Sequence, residues 1–349
     1  MKTILHLANF NLLRLKGCFQ NSYPFKITNG LTRNGYAVIN YSDRDICRML
    51  GFGSMNFLGK KRSQKHFLNY CRVVKPDALF MGHADTIEAE TLYKLKEMLP
   101  EIKILQWTCD WVAPGYAQRN IEALQRNKEI VDAFFVTTGD KNQLAQFKTA
   151  NNKVCYLPNF VDETLETYKA FENSNPEYDL FYSATPGIRQ FCGQDIDNEK
   201  LVEEISAKVH DLKWLLAGIK GAPKLAGADY IKAFSKAGMG LSLSRVNDVY
   251  LYSSDRMVHI MGNGELCFLD KRTGFGDLFA DDEIVFYATP EELYEKISKY
   301  RTDVKERQKI AENGWRKIQA EYNEKIVTKY MADVLFENKT DKKDWQIML

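Results

Sequence analysis

Short apolar runs that alternate with longer amphipathic stretches constrain this chain more than any other feature. In the first half the strand-like runs cover residues 3–8, 36–40, 78–82, 102–107, 133–137 and 153–157. Helical stretches at residues 22–33, 87–99 and 141–148 lie between them. Strands that alternate with helices predict a parallel sheet, and strands that are apolar throughout predict helices on both of its faces. The sequence therefore predicts an α/β protein with a doubly wound sheet.

The same alternation begins again in the second half, with strand-like runs at residues 178–183, 214–218, 239–243, 266–269 and 284–287. A chain of 349 residues is longer than a single core usually holds. The sequence LPNFVD at 157–162 closes the first half with a proline that ends a strand. We predict a first domain over residues 1–162, a second over residues 163–320, and a C-terminal helix with a tail over residues 321–349. One long helical stretch is expected over residues 305–336.

Composition excludes several classes of protein. The seven cysteines are odd in number and form no Cys-x-x-Cys pair, which argues against a disulfide framework and a structural zinc site. A reducing cytoplasm is the simplest location, and no stretch reaches the roughly 18 apolar residues that a membrane span needs. Two Asp-x-Asp pairs, Asp43 with Asp45 at an expected helix start and Asp195 with Asp197 in an expected helical region, are poorly placed as metal ligands. We therefore predict no metal site.

The net charge of +2 conceals a basic first half and an acidic second half. The densest basic patch is FLGKKRSQKHF at 57–67, which contains Lys60, Lys61, Arg62 and Lys65 beside apolar residues. A solvated helix face explains such a patch, and so does contact with an anionic membrane surface or an anionic acceptor. No motif typical of nucleic-acid binding accompanies it, so a nucleic acid is not an expected partner.

Two turns of the second half have residues suited to an anion. Ser253 and Ser254 could cap a helix whose free N–H groups attract negative charge, and Arg256 in its first turn adds a fork of donors suited to phosphate. The alternative is an ordinary capped helix with a surface arginine. At the end of the run 178–183, Gly187 would let the backbone approach a phosphate and Arg189 would place a cation on it.

The succession of motifs in the second half resembles that of GT-B glycosyltransferases, in particular the spore-maturation-type branch of the group 1-like enzymes. Ser254, Arg256 and Gly264 match its pattern, and DLFADDEIVFY at 277–287 and TPEEL at 289–293 continue it. The segment LPNFVD matches the point where such chains pass into their second domain. The resemblance implies two Rossmann-like doubly wound domains facing a cleft, with a C-terminal helix that crosses back to the first domain.

The same resemblance implies transfer of a sugar from a nucleotide diphosphate donor to a hydroxyl of a glycan or glycolipid, without a metal or other cofactor. The expected donor-binding residues of the second domain are Ser183, Gly187, Arg189, Gly218, Arg245, Asn247, Tyr252, Ser253, Ser254, Asp255, Arg256, His259, Gly262, Asn263 and Gly264. Many such enzymes carry a Glu-x7-Glu motif, whose two positions are Leu251 and His259 here. His259, Asp255 or Asn247 would then offer the polar contacts to the donor. A buried His259 with satisfied hydrogen bonds is the simpler alternative.

Two loops of the first half follow strand-like runs and are expected at the ligand-binding edge of the sheet. His83 or Asp110 could accept the proton of the acceptor hydroxyl, and flanking Trp107 and Trp111 would raise the proton affinity of Asp110. Each residue also has a structural interpretation that is equally good. His83 could be a hydrogen-bonded histidine at a strand end, and Asp110 could cap a turn. The residues expected on the acceptor side are Gly17, Asp85 and Trp107.

Two other functions fit the same features. A non-catalytic sugar- or nucleotide-binding protein would share the cleft and the arginines, and a nucleotide-sugar epimerase has the same fold. The epimerase would need a cleft rich in carboxylates, which the sequence does not reveal. We expect a cytoplasmic protein, with the basic patch as a possible contact to the inner membrane face.

Overall fold

A computed structural model describes residues 1–13, 22–82, 85–112 and 117–349. The chain divides into two compact units. The first unit contains Met1–Pro158 together with Glu324–Leu349, and the second contains Asn159–Asn323. The boundaries expected from the sequence, 162/163 and 320/321, lie a few residues from these.

A six-stranded parallel sheet forms the centre of the first unit, in the order β2-β1-β3-β4-β5-β6. Its strands are β1 Thr3–Ala8, β2 Ala37–Ser42, β3 Ala78–Met81, β4 Lys103–Thr108, β5 Ala133–Val136 and β6 Lys153–Tyr156. The central strands are short apolar runs, such as ALFM in β3 and AFFV in β5, and every residue of these two strands is buried. Such strands need cover on both faces, which the helices of this unit provide.

The helices of the first unit in the chain up to residue 158 are α1 Tyr23–Arg33, α2 Asp43–Leu50, α3 Phe57–Val74, α4 Ala89–Met98, α5 Gln118–Gln125 and α6 Lys141–Ala145. Side-chain caps fix two of their starts. Asn56 accepts a hydrogen bond from the Gly59 amide at the start of α3, and Asp140 accepts from two amides at the start of α6.

The second unit has a five-stranded parallel sheet in the order β10-β7-β11-β12-β13 and a separate antiparallel hairpin of β8 and β9. The strands are β7 Tyr178–Ser183, β8 Ile188–Phe191, β9 Gln194–Asp197, β10 Trp214–Ala217, β11 Ala237–Ser242, β12 Leu266–Asp270 and β13 Val285–Tyr287. The helices are α7 Asn198–Lys208, α8 Gly227–Ala233, α9 Arg256–Gly262, α10 Pro290–Thr302 and α11 Val304–Glu321.

The hairpin corrects the prediction that Asp195 and Asp197 lie in a helical region. Asp195 pairs with Gln190 across the hairpin, and the side chain of Asp197 caps α7 by accepting from the Glu199 and Lys200 amides. The run QDID has a single apolar residue, Ile196, which is too little to show either a helical or a strand period.

The long helical stretch expected over residues 305–336 consists of two helices. α11 ends at Glu321, and α12 Glu324–Phe336 belongs to the first unit. There α12 packs on α1 so closely that a Cβ at Gly30 would overlap the carbonyl oxygen of Glu324. In the described part of the chain, no helix has both the length and the apolar character that a bilayer span requires.

Candidate functional site

The sheet of the second unit changes its direction of growth between β7 and β11. After β7 the chain returns to β10 on one side, and then crosses to β11 on the other. Parallel strands of this kind leave a crevice at their carboxyl ends at such a point, because neighbouring loops turn in opposite directions there. The segments that follow β7 and β11 contain most of the residues expected to bind a donor.

Three arginines, Arg189, Arg245 and Arg256, come from these segments, and we call them the arginine cluster. Arg189 lies on β8, is only 4% exposed, and donates from its guanidinium to the Thr185 and Ile188 carbonyls at 3.0 and 2.8 Å. Burial lowers the pKa of Arg189, and the nearby charges of Arg256 and Arg245 lower it further. Among the described residues, no carboxylate forms an ion pair with any of the three. The cluster therefore concentrates positive charge at the edge of the sheet.

Several buried polar atoms at this edge have no hydrogen-bond partner among the described residues. They include the hydroxyl oxygen of Ser254 and Nε of both Arg189 and Arg256. Arg256 otherwise donates to the Leu243 carbonyl at 3.0 Å. Burial raises the pKa of the nearby Tyr182 hydroxyl, and the charges of Arg256 and Arg189 oppose that rise. Buried polar atoms are nearly always paired in folded proteins, so a group that accepts hydrogen bonds would complete this site.

The predicted caps of α9 are wrong. Asp255 occupies the N-cap position, and no side chain caps the helix. The Ser253 hydroxyl instead accepts from the Asn159 amide at 2.9 Å, while the backbone N–H of Ser254 donates to the Ser244 hydroxyl at 2.7 Å. A contact distant in sequence thus engages the Ser253 side chain, while the Ser254 carbonyl accepts from the Met257 N–H at 3.2 Å at the helix start.

Glycines beside the cluster allow close backbone approach. Gly187 has a φ of +132° and Gly218 a φ of +78°, values that side chains rarely adopt. A Cβ at Gly218 would overlap the carbonyl oxygen of Ala184, which follows β7. Ser183 ends β7 and is partly exposed, so it lies at the same edge.

Several other expected donor residues are engaged in packing. Asn247 is buried and bonds to the Gln190 carbonyl at 2.6 Å and the Ser244 amide at 3.2 Å. Tyr252 is also buried. The turn of Gly262, Asn263 and Gly264 packs against residues 161–171, where added Cβ atoms would meet Val161 and Phe171. This turn therefore holds the start of the second unit against α9.

His259 has a carboxylate partner that sequence reasoning missed. Its Nδ1 lies 2.8 Å from Oε1 of Glu166, and both residues are buried. Its Nε2 lies 3.6 Å from Oδ2 of Asp255. The sequence lacks the Glu-x7-Glu motif, yet the fold delivers a glutamate to the same helix from 93 residues earlier. No local pattern could have indicated this pair.

The first unit has a cavity of about 220 Å³ at the carboxyl ends of β3 and β4. Asp85, Trp107 and Asp110 all line it, so the structure brings these three predicted residues together. Asp85 accepts two hydrogen bonds from Arg44 at 2.8 and 3.0 Å and a third from Arg119 at 3.4 Å. Those arginines therefore face a carboxylate that already neutralises part of their charge.

Asp110 lies at the end of β4 and is exposed, and its backbone N–H donates to the Thr108 hydroxyl at 3.1 Å. Trp107 is buried, where it stacks on Tyr23 at 6.0 Å between ring centroids. The predicted positions His83 and Gly17 lie outside the described residues.

The residues that the structure describes include no group of three histidine, cysteine, aspartate or glutamate side chains that could hold a metal ion.

The second half of the chain is similar to a family of known proteins. Residues 189–332 match the family described as glycosyl transferase-like. A search of curated proteins gives no match.

Solved structures resemble the whole chain at low sequence identity. Anabaena HepE in complex with UDP and glucose is 12% identical, with a TM-score of 0.63, and the match covers 97% of this chain and 100% of HepE. A glycosyltransferase from Rickettsia africae is 11% identical, with a TM-score of 0.61 and coverage of 96% and 98%. A UDP-N-acetylglucosamine 2-epimerase is 12% identical, with a TM-score of 0.54 and coverage of 98% and 100%. The predicted fold and the resemblance to GT-B glycosyltransferases are confirmed, and the spore-maturation-type branch stays a prediction.

Proposed function

Because residues 189–332 match the glycosyl transferase-like family and the whole chain has the GT-B fold, we propose that this enzyme transfers a sugar from a nucleotide diphosphate donor. The second unit binds the donor, and the first binds a glycan or glycolipid whose hydroxyl accepts the sugar. The arginine cluster is the observation that carries this proposal.

A diphosphate has the negative charge and the shape to pair with the guanidinium groups of the arginine cluster. Three guanidinium groups lie near one another without a carboxylate among the described residues, although burial of Arg189 already disfavours its charged form. Arginine presents a planar fork of donors that matches phosphate oxygens. Phosphate oxygens would also accept from the Ser254 hydroxyl and from Nε of Arg189 and Arg256, which are buried and unpaired among the described residues. HepE, which has the same fold, was solved with UDP and with UDP-glucose.

The positive charge of the cluster also supplies the chemistry. Negative charge grows on the leaving diphosphate as its bond to the sugar breaks, and preorganised donors stabilise that charge most in the transition state. We therefore propose that neither a metal ion nor another cofactor takes part. Glu166 and His259 act as positioning residues, since their buried pair fixes α9, the helix that begins with Arg256.

Asp110 is the proposed base on the acceptor side. It lines the cavity of the first unit at a strand end and is exposed, so an acceptor hydroxyl can reach it. Asp85 is less suited to the role because Arg44 and Arg119 bind its oxygens. His83 stays a second candidate from the sequence alone.

Nucleotide affinity of Arg245→Ala tests the donor site. Arg245 is exposed, so the change should leave the fold intact, and the loss of one charge-assisted contact should weaken binding of UDP or another nucleoside diphosphate roughly 10- to 150-fold. Arg316→Ala is the matched control, because Arg316 is exposed on α11 and pairs with Glu312. Titration calorimetry against UDP, GDP and ADP would measure both variants. Equal affinities for wild type and Arg245→Ala would refute the assignment.

Product analysis separates the three possible functions. A transferase releases the nucleoside diphosphate and extends an acceptor, whereas an epimerase converts the donor sugar without needing an acceptor. A binding protein leaves the nucleotide sugar unchanged.

A further inference from the structure

The connection between α2 and α3, with the adjoining helix ends, exposes a group of large apolar side chains to solvent. Of the 13 large apolar residues that are exposed in the described chain, five lie within residues 49–58. We call them the apolar tip: Met49, Phe52, Met55, Phe57 and Leu58. Phe52 and Phe57 are 81% and 82% exposed, so these rings have almost no contact with the protein. Apolar residues grouped in this way mark an interaction site more often than residues scattered singly.

The backbone of the apolar tip is strained. Phe52 has a φ of +56°, in the left-handed region that bulky residues rarely occupy. The turn is also fixed from below, because a Cβ at Gly59 would overlap the Cys47 carbonyl and Asn56 bonds to the Gly51 carbonyl at 2.9 Å. A strained aromatic residue in solvent on a well-anchored turn indicates a function for its exposure.

Exposed cations lie directly beside the tip. Lys60, Lys61, Arg62 and Lys65 are all exposed, and we call them the basic face. The Arg62 guanidinium lies 5.5 Å from the centre of the Phe52 ring and donates to the Leu50 carbonyl at 3.2 Å. The opposite face of α3, formed by Gly59, Ser63, Phe67 and Cys71, is buried.

No acidic residue interrupts this surface along the chain. Between Asp45 and Asp77 the sequence contains seven arginines and lysines and no aspartate or glutamate. Surface helices of soluble proteins usually mix both signs of charge, and here the cations have no carboxylate nearby in sequence. The partner that complements such a surface is anionic in its outer layer and apolar beneath.

We propose that the apolar tip inserts into an anionic phospholipid bilayer while the basic face binds the lipid phosphates. Aromatic and aliphatic side chains enter the boundary between headgroups and acyl chains, and lysine and arginine remain at headgroup level. Only a short turn inserts, so the protein binds at the surface of one leaflet and does not span the bilayer. The proposal is independent of the sugar donor and of the arginine cluster.

Co-sedimentation with vesicles tests this surface in the full chain. One set of vesicles is phosphatidylcholine alone, and the other adds phosphatidylglycerol at roughly one part in four to supply negative charge. Wild type should bind only the second set, and binding should weaken as salt rises. Phe52→Ser with Phe57→Ser should lower affinity roughly 10- to 100-fold, because two rings lose their apolar environment.

Neutralising the basic face gives the second arm. Changing all four cations to glutamine should weaken binding by about fivefold per charge. The matched control is Val73→Ser with Tyr93→Ser, which removes exposed apolar side chains elsewhere in the first unit. Thermal unfolding of each variant confirms that it is folded.

Three outcomes would overturn the proposal. Wild type could fail to bind anionic vesicles, or the control could lose as much affinity as the Phe52/Phe57 variant. Sedimentation velocity without lipid could also show a dimer of wild type that the Phe52/Phe57 variant lacks, which would assign the tip to a second copy of the chain.

Discussion

Replacement of Glu265 by methionine should make the protein more stable at neutral pH. Glu265 precedes β12 and is 1% exposed, and neither carboxyl oxygen has a hydrogen-bond partner among the described residues. Oε2 also lies 2.7 Å from where a Cβ of Gly240 would be, so Gly240 leaves the room that the carboxyl group occupies. Burial raises the pKa of Glu265 well above its usual range. Below this raised pKa, the carboxyl group of Glu265 is therefore neutral in the folded protein.

The sign of the pH dependence follows from this shift. In the unfolded chain Glu265 ionises near its ordinary pKa of about 4.3. Its contribution to stability is complete below that pH and is lost as the pH rises toward the higher pKa of the folded state. The loss is about 1.4 kcal/mol for each pH unit between the two values. Two pH units within this interval thus cost about 2.7 kcal/mol of unfolding free energy.

The difference between wild type and Glu265→Met isolates this group, because all other titrations occur in both proteins. Methionine has a similar length and no proton to lose, so the variant should gain over wild type by about 1.4 kcal/mol per pH unit from pH 5 up to the raised pKa of Glu265 in the folded state. Urea unfolding of the full chain, followed by circular dichroism between pH 5 and pH 8, measures the difference. Glu204→Met on the exposed side of α7 is the matched control for the substitution itself. A flat difference for Glu265→Met would refute the reasoning.

The remaining predictions concern the reaction. Asp110→Asn should lower kcat roughly 10²- to 10⁴-fold and leave nucleotide affinity nearly unchanged, as expected for a base used in the transition state; ordinary turnover in steady-state assays would remove Asp110 from the mechanism. Transfer activity should persist in EDTA, because guanidinium groups neutralise the leaving diphosphate. Activity that is abolished by EDTA and restored by manganese or magnesium would show that a metal takes part.

The strands were predictable because their signal is local. β1 and β7 have the bounds expected from the sequence, and the other strands of both parallel sheets differ by one or two residues at an end. A short apolar run between amphipathic stretches can be buried on both faces only inside a parallel sheet, so composition and position suffice. The polar hairpin of β8 and β9 has no such run and was missed.

Features that depend on distant contacts could not be read in the same way. Ser253 has the residue type of a helix cap, yet its side chain bonds to Asn159, 94 residues away. His259 stands where a carboxylate was expected, and Glu166 supplies one from outside the helix. The basic face was visible in the sequence, but the exposure of Phe52 depends on a backbone turn that no composition reveals.

Local pairing, more than the charge of a whole domain, locates an anion site in this chain. The first half is basic and the second is acidic, so overall charge would favour anion binding in the first. The ion pairs at the two sheet edges indicate the opposite. In the cavity of the first unit, Asp85 binds Arg44 and Arg119. Among the described residues, no carboxylate forms an ion pair with the arginine cluster of the second unit. Fields of surface charges are screened within about 8–10 Å in physiological salt, whereas partly buried charges keep most of their effect. The acidic surface of the second half therefore does not cancel the positive charge of the arginine cluster, which is why we propose the cluster as the site of the diphosphate.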